Sequence, residues 1–348
     1  MTVAVDMVRL TKVYKNTAVA SVDDISMSIP NGQLVAMLGP SGCGKTTTMK
    51  MLAGLLEPTR GDVQFDGRSV VDIPAEKRNV AMVFQKPLLF PHMSIGDNVA
   101  FGLRMRGVDK KTRKKRVGEM MDLVRLPGME DRRPGQLSGG QEQRISLARS
   151  LITEPDILLL DEPLSQLDAN LRIEMRDLIR SIQDELGVTS VFVTHDQEEA
   201  VMLADRIALM LEGRIQQDGL PQSFYEQPAT QAVARFFGTQ NFVEGSVSGR
   251  RFSSVLGELE LAHDHPEGDG VLVIRQEAIE VGDGQNSFGA TVERAMYLGT
   301  HVRVWAKAQG VSLQFTVPPG MRYEADEAIT LRLPTEQTWI VPSKDEIL

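Results

Sequence analysis

Short apolar runs that end in polar residues recur along the first two thirds of the chain. Residues 34–38, 80–84, 157–160 and 190–194 have the length and the apolar content that are typical of buried strands. Helix-compatible stretches lie between these runs, and residues 94–136 are mostly helical in pattern. The alternation predicts an α/β domain with a buried sheet.

From Asn241 the pattern changes to short strands with glycine-rich turns, which predicts a small all-β barrel. A last helix over residues 229–237, stopped by Gly238, separates the two patterns. We therefore predict domains over residues 1–238 and 239–348, with a helical subdomain at about 94–150. The predicted strands of the barrel cover residues 242–247, 256–261, 271–274, 290–298, 302–306, 311–317, 330–333 and 338–341.

Composition narrows the class of protein. The chain has 348 residues, 42% hydrophobic and 24% charged, as in ordinary soluble proteins of two domains. A net charge of -9 argues against a protein that holds nucleic acid mainly by its phosphates. Cys43 is the single cysteine, so an internal disulfide is excluded and a reducing compartment fits. No run approaches the length of a membrane span and no signal-peptide core is present, so a cytosolic protein is expected.

The segment after the first buried strand has the residues of a phosphate-binding loop. It reads Gly39, Pro40, Ser41, Gly42, Cys43, Gly44, Lys45, Thr46 and Thr47, and a helix-compatible run follows. The glycines let backbone N–H groups turn toward one anion at the start of a helix. Lys45 would reach the β- and γ-phosphates, and the Thr46 hydroxyl would bind Mg²⁺. A thiol at a helix N-terminus is expected to have a lowered pKa, so Cys43 should be reactive.

Three other predicted strands also end in polar residues, namely Gln85, Asp161 with Glu162, and His195. The carboxyl ends of strands in an α/β sheet are where ligands bind, so these side chains are expected to share one site. Asp161 suits a bound metal ion, and Gln85 suits the metal or its water. Glu162 is the candidate that orients the attacking water, and His195 could contact the γ-phosphate.

A second glycine-containing turn precedes another predicted helix and consists of Leu137, Ser138, Gly139, Gly140 and Gln141. Ser138 is expected to be the N-cap. Gly139 and Gly140 leave backbone donors bare at the helix N-terminus, which predicts a second anion site.

In this order the motifs resemble those of an ATP-binding cassette (ABC) ATPase, and the resemblance covers roughly residues 3–235. It implies that Tyr14 stacks on adenine, that residues 165–168 with Asp168 form the D-loop, and that His195 is the switch histidine. In this family two copies pair head to tail. The segment 137–141 would then bind, in trans, the γ-phosphate of ATP held by the other copy. Gln166 stands where asparagine or alanine is expected, which puts in doubt how tightly the two sites communicate.

The carboxy-terminal part resembles, in length and position, the oligonucleotide-fold-like TOBE domain of importer ATPases. Arg275, Gln276 and Glu277 match an Arg-Pro-Glu segment of such domains except at the middle residue, so regulation by this part stays open. Aromatic residues here could stack on nucleic acid, but core packing is the preferred interpretation. The aromatic residues concerned are Phe252, Tyr297 and Trp305.

The expected fold is therefore an α/β P-loop ATPase with a helical subdomain, followed by an OB-like barrel. The expected function is energy coupling in a bacterial ABC importer that uses ATP and Mg²⁺. Expected partners are a second copy, an integral membrane permease that docks around Gln85 and residues 90–93, and, through the permease, an extracytoplasmic solute-binding protein. No nucleic acid is expected. The chain would lie at the cytoplasmic face of the inner membrane.

Two alternatives remain at this point. A soluble ABC ATPase of DNA repair or translation would need a long coiled-coil insertion or a second cassette, and the interval from Gln85 to Leu137 leaves no room for the insertion. An exporter ATPase usually lacks such a barrel. The sequence contains little information about the transported solute. The short barrel and the junction at residues 235–238 favour polyamine, ferric iron or phosphonate over sugars.

Overall fold

The computed structural model describes residues 2–15 and 19–343. The chain divides into two compact units between Pro221 and Gln222. This division precedes the boundary predicted after Gly238, because two short helices between the two points belong with the second unit.

The first unit contains ten strands and six helices in its described residues. The strands are β1 (Val5–Lys12), β2 (Val22–Ile29), β3 (Leu34–Leu38), β4 (Arg60–Phe65), β5 (Arg68–Ser69), β6 (Val80–Val83), β7 (Ile157–Asp161), β8 (Thr189–Thr194), β9 (Arg206–Leu211) and β10 (Arg214–Gly219). The helices are α1 (Lys45–Leu52), α2 (Ile95–Met105), α3 (Lys110–Leu123), α4 (Gly139–Leu151), α5 (Ala169–Leu186) and α6 (Gln197–Leu203). Short 3₁₀ turns lie at Ala75–Lys77 and Pro134–Gln136.

The central sheet has the strand order β10-β9-β3-β8-β7-β6. All neighbouring pairs are parallel except β9 with β10. Every residue of β3 and β8 is buried, as expected for a parallel sheet covered on both faces. Because β3, β6, β7 and β8 run in the same direction, the residues that follow them meet at one edge of the sheet.

A second, antiparallel sheet of order β2-β1-β4-β5 packs on the central one. Met7 and Ile25 from this sheet share one apolar core with Met37 of β3, Met49 of α1 and Val193 of β8. Burial of this core fixes α1, and with it the loop that precedes α1, against the sheet.

Helices α2, α3 and α4 contact one another within the range 94–150, for which a helical subdomain was predicted. Ser94 caps α2 and Asp109 caps α3, each by accepting backbone N–H groups. The basic run at the start of α3 is largely exposed, and Val117 and Met121 on the opposite face of the helix are buried. The run is therefore a solvated helix face.

In residues 222–343, the described part of the second unit, the helices are α7 (Ser223–Glu226) and α8 (Gln231–Phe236), followed by ten strands and a 3₁₀ turn at Thr335–Gln337. The strands are β11 (Asn241–Ser248), β12 (Arg251–Ser254), β13 (Gly257–Glu260), β14 (Gly268–Ile274), β15 (Glu280–Val281), β16 (Ser287–Tyr297), β17 (Val302–Ala308), β18 (Val311–Val317), β19 (Ala328–Arg332) and β20 (Trp339–Pro342). They form two antiparallel five-stranded sheets of order β13-β12-β11-β14-β20 and β15-β19-β16-β17-β18. The two sheets enclose one apolar core, so the predicted all-β fold is confirmed.

The aromatic residues of this unit differ from one another in burial. Phe252 is fully buried in the core, as expected. Tyr297 is 68% exposed at the end of β16, so the expectation that it packs in the core is wrong. Trp305 is partly exposed, and the guanidinium of Arg294 lies 3.9 Å from its ring centroid. Tyr297 lies outside because the last five residues of β16 extend beyond the core, and Trp305 lies outside because it alternates with the buried residues of β17.

Within the described ranges, no helix has both the length and the apolar character needed to cross a membrane.

Candidate functional site

The loop between β3 and α1 is shaped by glycines that no other residue can replace. Gly39 and Gly44 have φ values of 155° and 108°. A Cβ on Gly39 would lie 2.1 Å from the Met210 carbonyl oxygen, and one on Gly44 would lie 2.2 Å from that of Ser21. The loop can lie this close to its neighbours, and turn its N–H groups inward, only with glycine at both positions.

Lys45 is the first residue of α1 and is only 4% exposed. Its Nζ donates hydrogen bonds to the carbonyl oxygens of Gly39 at 2.7 Å and Pro40 at 2.9 Å. The ammonium group is therefore held inside the curve of the loop, where the helix N-terminus adds partial positive charge.

Tyr14 reaches the same loop from the segment after β1. Its hydroxyl lies 3.3 Å from Oγ1 of Thr47, and the residue is 39% exposed. The ring therefore borders the loop with part of its surface accessible to a planar ligand.

Cys43 corrects an expectation drawn from the sequence. The residue is only 5% exposed, and burial raises the pKa of its thiol. Lys45, whose Nζ is 3.8 Å from the sulfur, acts in the opposite direction but does not outweigh burial. The lowered pKa expected at a helix N-terminus is wrong because the thiolate would be desolvated.

This burial predicts slow chemical modification. We expect a maleimide at neutral pH to label Cys43 in the folded chain at least about tenfold more slowly than in the unfolded chain, because thiolate content and access are both reduced. Since Cys43 is the single cysteine, total label measured by mass spectrometry reports this site alone. Equal rates in folded and denatured protein would contradict the expectation.

Thr46 and Asp161 join the loop to the end of β7. The Thr46 hydroxyl donates to Oδ1 of Asp161 at 3.1 Å. Burial, followed by the charge of Glu162, raises the pKa of Asp161, although the bond from Thr46 opposes this. The hydroxyl and the carboxylate supply two hard oxygen ligands 3.1 Å apart, and these donors fit Mg²⁺.

Glu162, Gln85 and His195 meet at the same edge of the sheet. Oε1 of Glu162 lies 3.5 Å from Nδ1 of His195, and Oε2 lies 3.5 Å from Nε2 of Gln85. Gln85 also donates to Oγ of Ser165 at 3.1 Å. The structure thus brings together the polar residues that follow three separate strands.

The backbone at Glu162 is unusual. Its φ is 44°, in the left-handed region that non-glycine residues rarely adopt. Two hydrogen bonds hold this conformation. The N–H of Glu162 donates to the Val193 carbonyl oxygen at 3.1 Å, and Oγ of Ser165 donates to the Glu162 carbonyl oxygen at 2.9 Å. Strain of this kind is typical of functional positions.

The 137–141 segment stands at the start of α4. Ser138 is the N-cap, as predicted, and forms a reciprocal capping box with Gln141. Gly139 and Gly140 form the first turn, and Leu137 precedes the cap. The polar side chains of the segment bond within it rather than to the loop at residues 39–44.

The D-loop segment follows Glu162 and leads into α5. Asp168 caps α5 by accepting the N–H of Leu171 at 3.0 Å. Gln166 is exposed, so its side chain is not needed for packing within this chain.

A buried network behind His195 was not predicted. Glu199 of α6 is 7% exposed, accepts a hydrogen bond from Oγ1 of Thr194 and lies 3.8 Å from Nε of Arg172. Arg172 in turn donates to the Leu167 carbonyl oxygen at 3.3 Å. Burial raises the pKa of Glu199. The sequence signal was a run of acidic residues after a strand, which equally fits an exposed helix start.

Glu199 makes stability depend on pH. An acid whose pKa is raised by folding stabilises the fold below its unfolded pKa, about 4.5, and this contribution is lost as pH rises through the folded value. We expect the free energy of unfolding of Glu199→Gln, relative to wild type, to increase as pH rises above about 4.5. Urea unfolding followed by circular dichroism measures it.

Glu198→Gln is the matched control for this prediction. Glu198 is the neighbouring residue, its side chain is 77% exposed, and it lies 3.4 Å from Arg176. Its substitution should leave the pH dependence of unfolding unchanged. A parallel pH dependence in wild type and Glu199→Gln would show that the burial of Glu199 carries no such linkage.

Comparison with known proteins agrees with this geometry. Residues 22–165 match the ABC transporter family model, and residues 272–341 match the TOBE domain. The chain is 42% identical over 316 residues to the Fe(3+) ions import ATP-binding protein FbpC of Escherichia coli O157:H7, covering 90% of each chain. The chain belongs to the ABC transporter ATP-binding proteins.

Another relative of this ABC protein is named for a different transported solute. It is 44% identical over 318 residues to the spermidine/putrescine import ATP-binding protein PotA of Rubrobacter xylanophilus, covering 88% of this chain and 84% of PotA. The resemblance to importer ATPases with a TOBE domain is thereby confirmed.

Two solved structures resemble the ATPase part. One is the dimeric post-hydrolysis state of the ATP-binding cassette MJ0796 bound to ADP and Pi, with TM-score 0.57 and 30% identity over 62% of this chain and 98% of that one. The other is CbiO1 from Clostridium perfringens, part of the ABC transporter complex CbiONQ, with TM-score 0.59 and 29% identity over 66% of this chain and 92% of that one.

Proposed function

We propose that this chain is the energy-coupling subunit of an importer, in which two copies bind and hydrolyse ATP and thereby move a membrane permease. The observation that carries the proposal is the convergence of Lys45, Asp161, Glu162 and His195 at one edge of the central sheet. ATPase chemistry follows from membership of the family, whose named relatives are import ATP-binding proteins.

The loop at residues 39–47 binds the phosphates of ATP. Its backbone N–H groups and the start of α1 supply several donors, and Lys45 exchanges its loop carbonyl partners for phosphate oxygens. Tyr14 stacks on the adenine ring beside Thr47. Cys43 contributes through its backbone, because its side chain is buried. Ser41 is exposed and contributes its backbone N–H as part of the same loop.

Thr46, Gln85 and Asp161 would hold Mg²⁺. The ion neutralises charge on the phosphates when it is bound. The chain's own contribution is to keep a hydroxyl and a carboxylate 3.1 Å apart at the end of β7, with a neutral amide across the site.

Glu162 orients the water that attacks the γ-phosphate. Its side chain is 21% exposed, and its carboxylate oxygens lie 3.5 Å from Gln85 and from His195. A water bound to this carboxylate is therefore held in one orientation. The bond between this water and phosphorus forms as the bond to the β-phosphate oxygen breaks, and the water's proton leaves toward Glu162 or the phosphate oxygens. His195 donates to the γ-phosphate or to the water.

A second copy of the chain completes the site. The N-terminus of α4 offers the backbone N–H groups of Gly139, which is exposed, and of Gly140, which is buried in the single chain, next to the N-cap residue Ser138. These donors bind the γ-phosphate of ATP on the other copy, and Asp168 lies at the contact between copies. The arrangement gives the donors at residues 138–140 a ligand.

The permease docks in a groove of about 380 Å³ beside Gln85, which is lined by Phe84, Leu88, Phe90 and Phe101 among others. Leu88 is 61% exposed, and an apolar side chain so exposed beside a polar loop suits a partner helix. Residues 91–93 continue this surface. The protein then lies at the cytoplasmic face of the membrane, and a solute-binding protein delivers cargo to the permease.

The cargo belongs to the group of ferric iron, polyamines and related small solutes, since close relatives are named for iron and for spermidine and putrescine. The test is to purify the chain from its source membranes. Copurification of a permease, together with ATPase activity, supports the importer. Isolation with nucleic acid or ribosomes instead would support a soluble ABC ATPase and overturn the transport assignment.

A further inference from the structure

The loop that carries Gln85 is held on both sides by one helix. Gln143 of α4 is 3% exposed, and its Nε2 donates to the carbonyl oxygen of Phe84 at 3.4 Å. Arg149 of the same helix donates from Nη1 to the carbonyl oxygen of Leu88 and from Nη2 to that of Pro87, both at 3.0 Å. The main chain just before and just after Gln85 is therefore attached to α4.

The attachment by Arg149 holds a turn that is unfavourable by itself. Leu88 has a φ of 48°, and its side chain is exposed, so side-chain packing does not impose this conformation. The guanidinium of Arg149 also lies 5.4 Å from the ring centroid of Phe90. Two charge-assisted hydrogen bonds and this ring contact thus fix the chain on the far side of Gln85.

The same helix begins at Ser138. Because α4 is continuous over Gly139–Leu151, a displacement of its N-terminus reaches Gln143 and Arg149 without passing through a loop. Gln85 in turn contacts Ser165 at 3.1 Å and Glu162 at 3.5 Å.

We infer that Gln143 and Arg149 are positioning residues that set the place of Gln85 relative to Glu162 and link it mechanically to the 138–140 donors. The inference rests on the proposed function.

A double-mutant cycle tests whether Arg149 acts through Gln85. We expect Arg149→Ala to lower kcat for ATP hydrolysis about tenfold through misplacement of Gln85, with KM for ATP changed less than about twofold because the loop at residues 39–47 is untouched. In a Gln85→Ala background the same substitution should lower kcat by less than about twofold, since the group it positions is gone. Arg149→Lys should restore part of the rate.

Independent, multiplicative effects of Arg149→Ala and Gln85→Ala would overturn the inference, as would a change in KM alone. If Arg149→Ala does not fold, Gln143→Leu serves instead, because it removes the other attachment and keeps a similar volume. The inference about Arg149 and the proposed function are tested by different results. If wild type hydrolyses ATP and Glu162→Gln does not, the proposed function is supported, whatever the double-mutant cycle shows.

Arg106→Ala is the matched control. Arg106 also makes two hydrogen bonds, to the Thr153 carbonyl oxygen at 2.8 Å and to Oδ1 of Asn79 at 2.9 Å, and it does not touch residues 84–88. We expect Arg106→Ala to change kcat by less than about twofold, both in the wild-type background and in the Gln85→Ala background. A loss equal to that of Arg149→Ala would show that any lost arginine bridge slows hydrolysis, and the inference would fall.

Discussion

Replacement of Glu162 by glutamine is expected to lower kcat for ATP hydrolysis by about two to three orders of magnitude, within the range for loss of a general base. The amide keeps the size of the side chain and its contacts near His195 and Gln85, so ATP should still bind with an affinity within about threefold of wild type. Phosphate release and equilibrium binding of a fluorescent ATP analogue measure the two quantities.

The control for this prediction is Glu119→Gln. Glu119 lies on α3, its side chain is 61% exposed, and it forms an ion pair with Lys115 at 3.6 Å. Its substitution should leave kcat unchanged. If Glu162→Gln retained more than about a tenth of the wild-type kcat, the carboxylate would not be the group that acts on the water.

Lys45→Met should weaken ATP binding by about 10- to 100-fold, since a hydrogen bond to a charged group is worth about 1.5–3 kcal/mol. Methionine has a similar length and suits a position that is 4% exposed, so the fold should remain intact. Calorimetric titration with ATP measures the loss, and thermal unfolding checks the fold.

Lys111→Met is the control at an exposed lysine outside the loop. Lys111 lies in the first turn of α3 and is exposed, so its substitution should change ATP affinity by less than about threefold. Equal losses for the two variants would mean that general positive charge, rather than the position of Lys45, attracts the nucleotide.

The strands that carry the site were predictable because each combines an apolar run with a polar end. Parallel pairing of β6, β7 and β8 then brings Gln85, Glu162 and His195 together without further information. Strand β10 was not predicted, since its residues 214–219 are mostly polar and its pairing depends on the completed sheet. Strand β9 was also missed, although Arg206–Leu211 is an apolar run like those of β3 and β8. Strand β15 has only two residues, which is too short to show alternation.

Other features of the site depend on the tertiary structure. The pKa of the Cys43 thiol is raised mainly by burial in the folded chain, and its position at a helix N-terminus does not predict this burial. Arg149 and Leu88 are 61 positions apart in sequence, and nothing in either segment indicates their contact. The burial of Glu199 likewise requires α6 to pack against the end of β8, so local sequence favours an exposed glutamate.

We propose that hydrolysis requires the α4 N-terminus of one copy to cover the ATP that another copy holds. The ATPase rate per chain can be measured over a range of concentrations in which sedimentation shows dissociation. We expect the rate per chain to fall in proportion to the fraction of dimer. A rate per chain that stays constant through dissociation would show that one copy hydrolyses ATP alone, and would contradict the requirement for a second copy.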